Sequence, residues 1–171
     1  MVRTGLYFHL QDQVPVSLAW ELPAFGCFKL NVDGSCGITT GAIGAGGVIR
    51  NSVGEWIAGF VANIGNGQIL DAEIWGLAFG LKLAVDRGVS NLTVEMDSTI
   101  IVQLIQTPDA INFHPLAAVI CECRELMEKI DNCVVRHIFR EQNCVADCLA
   151  NSSYNGDLGW ECVSLIMVRL G

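Results

Sequence analysis

From Phe28 onward the chain alternates. Phe28, Leu30 and Val32 are apolar, while Lys29, Asn31 and Asp33 are polar. A period of two marks a strand with one apolar face. The glycine-rich stretch Gly41 to Gly47 reads as a flexible turn leading into a second strand, Gly46 to Arg50. Asn51-Ser52-Val53-Gly54 has the composition of a tight turn, and Trp56 to Ala62 reads as a third strand. Three consecutive strands joined by short turns predict an antiparallel meander.

The period then changes. Leu70, Ile74, Leu77, Ala78, Leu81 and Val85 fall at helical spacing, and Gly88 supplies the stop. Leu92, Val94 and Met96 alternate with Thr93, Glu95 and Asp97, which predicts a fourth strand. Ser98 to Gln106 reads as a short helix halted before Pro108. A longer amphipathic stripe follows, from Leu116 through Val119, Ile120, Cys123, Leu126 and Met127 to Ile130. Residues 133–139 read as a fifth strand, and Asn143 to Asn151 as a closing helix. The order βββαβααβα implies an α/β fold: a mixed five-stranded sheet with helices on both faces.

Residues 1–26 show no period and contain Pro15 and Pro23, so they read as a lead-in or linker. The domain is expected over 27–165, with 166–171 as a tail. The first twenty residues hold no sustained apolar run, and the apolar stretch Ile69 to Val85 is broken by Asp71, Glu73 and Lys82. Neither a signal peptide nor a transmembrane helix is expected. The expectation is a soluble chain with no membrane partner, intracellular and either nuclear or cytoplasmic.

Half the 171 residues are hydrophobic (51%) and 16% are charged, a balance that favours a packed core over disorder. The net charge of −8 is awkward for a nucleic-acid binder, whose phosphate contacts normally need lysine and arginine, but neither excludes nor supports such a substrate. Binding to such a ligand would be weak and salt-sensitive unless metal ions or another module supplied positive charge. Eight cysteines contain no C-x-x-C pair and no histidine at finger spacing, and most sit among apolar neighbours. They read as reduced, buried thiols. The glycine run lacks the Lys-Ser/Thr ending of a phosphate-binding loop and precedes a strand, so it reads as a hairpin of small residues.

Four carboxylates occupy particular places in this layout. Asp33 ends the first strand, Glu73 lies in the first turns of the first helix, Asp97 ends the fourth strand and Asp147 lies on the last helix. If the first and fourth strands are neighbours, Asp33 and Asp97 meet at one end of the sheet. Clustered oxygen ligands suit hard cations such as Mg²⁺, and paired ions can activate water and stabilise a leaving oxygen. Each residue also has a plain alternative. Asp33-Gly34 suits a turn, Glu73 a helix N-terminus, Asp97-Ser98 a helix cap and Asp147 a solvated face. Periodicity does not choose between these.

Five segments carry a resemblance that does. Phe28-Lys29-Leu30-Asn31-Val32-Asp33-Gly34-Ser35 is followed in order by Gly44-Ala45-Gly46-Gly47-Val48-Ile49-Arg50 and Ala72-Glu73-Ile74-Trp75-Gly76-Leu77. Val94-Glu95-Met96-Asp97-Ser98 and the run from Arg140 to Ala150 complete the set. The set resembles the plant ribonuclease H-like domain, often found beside non-LTR reverse transcriptases, and spans about residues 20–165.

The resemblance implies that Asp33, Glu73, Asp97 and Asp147 bind two Mg²⁺ ions, with Mn²⁺ as a substitute. It further implies endonucleolytic hydrolysis of the RNA strand of an RNA–DNA hybrid. Gly34, Ser35 and Cys36 would lie near RNA 2′-hydroxyls, the group that separates RNA from DNA. Glu73 would be the least substitutable of the four.

Two features depart from the type 1 enzymes. The run from Pro108 to Asn132 holds only Arg124 and Lys129 among Asp109, Glu122, Glu125, Glu128 and Asp131, where bacterial relatives carry a basic protrusion. A separate reverse transcriptase or nucleic-acid-binding module would then have to supply the grip. His137 precedes Asp147 by ten residues, but alternation groups it with Val135 and Phe139 as a core or sheet-face histidine. Arg140 therefore ranks ahead of it as an assisting residue. The rival readings are a non-catalytic module left by a retroelement, and a DNA exonuclease with a similar carboxylate set.

Overall fold

A computed structural model describes residues 19–107 and 114–163. Most of the expected lead-in, the whole 166–171 tail and Pro108 lie outside the described residues. The elements run β1 (Phe28–Cys36), β2 (Ala42–Arg50), β3 (Trp56–Asn66), α1 (Ile69–Asp86), β4 (Leu92–Met96), α2 (Thr99–Gln106), α3 (Ala117–Glu128), β5 (Cys133–His137), α4 (Cys144–Ser152) and β6 (Gly159–Val163). No helix among the described residues is long and apolar enough to cross a membrane.

The sheet order is β5-β4-β1-β2-β3-β6. β1 pairs antiparallel with β2 and parallel with β4, and β5 extends the parallel half. The expected α/β fold with a mixed sheet is present, with one strand more than the pattern predicts. β6 lies antiparallel along β3, with Phe60 opposite Cys162 and Ala62 opposite Trp160. Four of its five residues, including Trp160, are exposed, so no apolar alternation betrays it. Its apolar contact is a stack of Trp160 on Phe79 at 6.3 Å.

β1 is central, and this changes the meaning of its alternation. Leu30 and Val32 face α1, where a Cβ on Gly80 would lie 2.7 Å from Val32 and 2.9 Å from Leu30. The opposite face is no solvent face: Lys29 is 4% exposed, Asn31 0% and Asp33 4%. α4 covers it. The core proper lies on the α1 side, where Leu30, Val32, Ile74, Leu77, Leu81, Val94 and Met96 pack with Ile101, Ile120 and Leu126 of α2 and α3.

The Gly41 to Gly47 stretch is mostly strand, a correction to the flexible-turn reading. Its glycines answer to close packing. A Cβ on Gly46 would sit 2.4 Å from the Leu149 Cβ and the Ala150 amide of α4, and one on Gly47 would sit 2.5 Å from the Phe60 ring. Only a bare backbone lets α4 descend this far onto the sheet. The segment ahead of β1 is also more than a connector. Trp20 lies over the Arg50 guanidinium at 3.6 Å, Pro23 is buried, and Lys29 Nζ donates to Glu21 O at 2.6 Å.

All eight cysteines are free, as expected, but the expectation that they are buried fails for most. Cys123 alone is buried; Cys27, Cys36 and Cys133 are half-buried, and Cys121, Cys144, Cys148 and Cys162 are exposed. Apolar neighbours in sequence lie on the other faces of the same helix or strand, so adjacency did not report burial.

Gly46→Ala tests the close approach of α4. The added methyl meets backbone and Cβ atoms that cannot swing away, so the substitution should cost about 1–3 kcal/mol or more in urea unfolding. A variant as stable as wild type would show that α4 does not seat on Gly46.

Candidate metal centre

Four elements deliver the carboxylates to one end of the sheet. Asp33 sits near the C-terminal end of β1, and its carboxylate accepts the Gly34 amide at 2.9 Å. Asp97 follows the last residue of β4, the parallel neighbour of β1, just before the Ser98 N-cap of α2. Glu73 comes from α1 on the other face. It reaches Asp33 because Gly34 has no side chain: a Cβ there would lie 2.5 Å from the Glu73 amide and 2.6 Å from the Ala72 carbonyl carbon.

Ligand oxygens of Asp33, Glu73 and Asp97 all lie within 4.8 Å of one another. Asp147, in the first turn of α4, lies outside that group of three but near enough for its charge to raise the Asp33 pKa. Arg140, in a short 3₁₀ turn (Arg140–Gln142), holds the outer side of Asp147 at Oδ1, 3.1 Å away. Three carboxylates therefore converge, with Asp147 beside them and Arg140 as the exposed cation at the rim.

Electrostatics explains what the cluster lacks. Burial raises the Asp33 pKa first, and the negative charges of Asp97 and Asp147 add to it, giving about 8 against the Gly34 amide's opposing bond. Burial likewise leads for Glu73, with Asp33 and Asp97 behind it; Gly34 and Arg140 pull the other way, and the result is about 9. Glu73 Oε2 is buried with no hydrogen-bond partner. A buried acceptor without a donor is costly. Three hard oxygens at this spacing, from residues that include the unpartnered Glu73 carboxylate, fit a small divalent cation.

The sequence-predicted substrate residues lie beside this centre. Gly34 is buried under α1. The Ser35 hydroxyl lies 2.5 Å from Asn151 Oδ1, and Cys36 is half-buried. His137 is exposed at the end of β5, which corrects the core alternative, and it meets Phe139 edge-on at 6.0 Å. Arg124 is not a handle for substrate: its guanidinium donates to Leu104 O, Ile105 O and Thr107 O at the end of α2.

Sequence reasoning missed a second cluster on the same sheet face, made by Lys29, Asn31, Arg50, Glu95, Arg136 and Asn143. Glu95 is 2% exposed; Lys29 lies 2.9 Å from its Oε1 and Arg136 also pairs with it. Burial alone would raise the Glu95 pKa, but the bonds from Lys29 and Arg136 outweigh it and the net shift is downward. The signal available was the alternation itself. In a strand flanked on both sides, Lys29 and Asn31 have no solvent to face.

A mixed sheet of this order, with carboxylates from β1, α1, β4 and α4 at one end, defines a ribonuclease H-like domain. The chain belongs to the reverse transcriptase-like family, whose model matches residues 31–153. A protein of Arabidopsis thaliana, provisionally named a ribonuclease H protein, is 34% identical over 156 residues. That alignment covers 91% of this chain but 25% of the relative, so the chain spans about a quarter of that protein's length. Among solved structures, the N-terminal ribonuclease H domain of a Mycobacterium tuberculosis protein superposes with a TM-score of 0.69 at 25% identity, covering 75% of this chain and 93% of that one. A ribonuclease H1 isolated from compost, solved in complex with an RNA/DNA hybrid, gives 0.66 at 27% identity, covering 75% and 96%.

The raised carboxyls make a prediction about pH. A folded-state pKa above the unfolded value contributes stability that is present at low pH and is lost as pH rises through the folded value. Between pH 5 and 9 the metal-free protein should therefore lose stability steadily, while Glu95, shifted downward, stays ionised and contributes no slope. Mg²⁺ should stabilise progressively more toward pH 9, and Asp33→Asn should flatten the metal-free profile. Thermal unfolding across that range checks this; a wild-type profile that is flat or rises would contradict the charge assignment.

Proposed function

We propose that this chain is a divalent-metal-dependent nuclease domain that cleaves the RNA strand of RNA–DNA hybrids endonucleolytically. The observation that carries the reading is the three-carboxylate cluster within 4.8 Å, with Glu73 Oε2 buried and unpartnered. Asp33, Glu73, Asp97 and Asp147 would hold two Mg²⁺ ions, with Mn²⁺ as a substitute. Such ions supply a water activated at neutral pH and charge neutralisation at the leaving oxygen. The chain's own residues would do the rest. Asp33 and Glu73 give up their protons to become ligands, and Arg140 offsets the excess negative charge at the rim. The backbone at Gly34, Ser35 and Cys36 would read the 2′-hydroxyl. The ribonuclease H1 solved with a hybrid shares this fold and supports the substrate class.

One observation favours a second reading, a non-catalytic module. α3 presents Glu122, Glu125 and Glu128 to solvent, its arginine is spent on α2, and the net charge is −8. Grip on the hybrid would then come from a second module, a reverse transcriptase or a basic nucleic-acid-binding domain, and the isolated chain would cleave only at low salt.

Asp97→Asn separates the readings. Amide replacement keeps shape and removes one unit of the charge that recruits cations. Wild type should cleave a hybrid with Mg²⁺, spare duplex DNA and lose activity steeply with salt. The variant should show no cleavage, bind Mg²⁺ more weakly and be no less stable without metal. Wild type that leaves a hybrid intact at low salt, at enzyme equal to substrate, would establish the non-catalytic module.

A further inference from the structure

The buried polar cluster repeats one spacing rule three times. Asn31 lies two residues before Asp33 on β1, Glu95 on β4 lies two before Asp97, which directly follows that strand, and Asn143, the N-cap of α4, lies four before Asp147. A period of two in a strand and one turn in a helix put each pair on the same face. Each element that delivers a carboxylate from this face thus also delivers one member of a network directly beneath it.

The three members are linked through Asn31. Asn31 Nδ2 donates to Glu95 Oε2 at 3.1 Å and to Asn143 Oδ1 at 3.3 Å, and Asn31 Oδ1 accepts Arg50 Nη2 at 2.7 Å. Asn143 is 1% exposed, and its Nδ2 donates to Val32 O, the carbonyl next to Asp33, at 2.8 Å. Its main-chain carbonyl accepts the Asp147 amide at 3.1 Å. Asparagine at a helix N-cap usually turns its side chain onto the helix's own amides. Here it makes no such bond and reaches the strand instead.

We propose that Asn143 is a positioning residue that, through Val32 and Asn31, sets the separation of the Asp33 and Asp147 carboxyls. The seat of α4 on the glycines of β2 controls how closely it approaches the sheet, whereas a bond to one chosen carbonyl of β1 controls how far along the strand it lies. Asn31 then relays the same register to β4 through Glu95. This inference deepens the nuclease reading, because a two-metal site tolerates little error in ligand spacing.

The test compares Asn143→Ala, the milder Asn143→Ser, and Leu126→Ala in α3, which lies outside the network and carries no site residue. Ser is too short to span Val32 and Asn31 yet caps a helix well, so it should fold if Ala does not. Crystal structures of the metal-free proteins should show the Asp147 carboxyl shifted from Asp33 by about 1 Å in the Asn143 variants. On a hybrid, the same variants should lose about a hundredfold in kcat with KM little changed. Leu126→Ala should lose stability but keep both the carboxyl spacing and kcat. Carboxyls that superpose on wild type in both Asn143 variants would overturn the proposal, as would an equal kcat loss in Leu126→Ala at matched stability. If wild type itself does not cleave, the structures still decide: a shift in the variants upholds the positioning role while the nuclease reading falls.

Discussion

β1 is buried on both faces, and most of what distinguishes this domain is arranged around that constraint. Its even-numbered side chains enter the apolar core beneath α1, where burial of Leu30 and Val32 supplies the ordinary hydrophobic stabilisation. Its odd-numbered side chains, Lys29, Asn31 and Asp33, are polar and equally buried, so each needs partners within the protein. Lys29 finds Glu95, Asn31 finds Glu95, Arg50 and Asn143, and Asp33 meets other carboxylates and the Gly34 amide. One strand face therefore runs from a satisfied, cation-rich network to an unsatisfied, anion-rich cluster within five residues.

That gradient gives the site its chemistry. A buried charge without a counter-charge is costly, and proteins otherwise pair it or neutralise it. Glu95 takes the first route. Asp33 and Glu73 take the second, with pKa values pushed up to about 8 and about 9. A cation able to replace those protons would gain ligands already held together by the fold. Such preorganisation is what a metal centre needs from its protein. Arg140 lies on the solvent side of Asp147, so the nearby positive charge balances the rim and leaves the interior for the cation.

Much of this was legible in the sequence, and for physical reasons. The change from period two to helical spacing after Leu70 marked α1, alternation marked β1 and β4, and turn composition bounded β2 and β3. The carboxylates stood at element ends, where a sheet gathers its ligands. β6 escaped because an edge strand exposed on nearly every side has no alternation to read. The glycines of β2 were misread because glycine is written the same way whether it turns the chain or lets a helix approach it. Asn31, Glu95 and Asn143 were invisible because their role depends on which strand is central, a fact set by parallel pairing of residues about 64 positions apart.

The central claim is that the fold builds a cation site from Asp33, Glu73, Asp97 and Asp147. Anomalous diffraction from crystals of the wild-type protein equilibrated with Mn²⁺ tests it without reference to activity. The account predicts manganese bound among these four carboxylates, with Glu73 Oε2 as a ligand, and loss of that density in Asp97→Asn. Saturating Mn²⁺ that leaves the cluster empty, or binds only at carboxylates elsewhere on the surface, would contradict it.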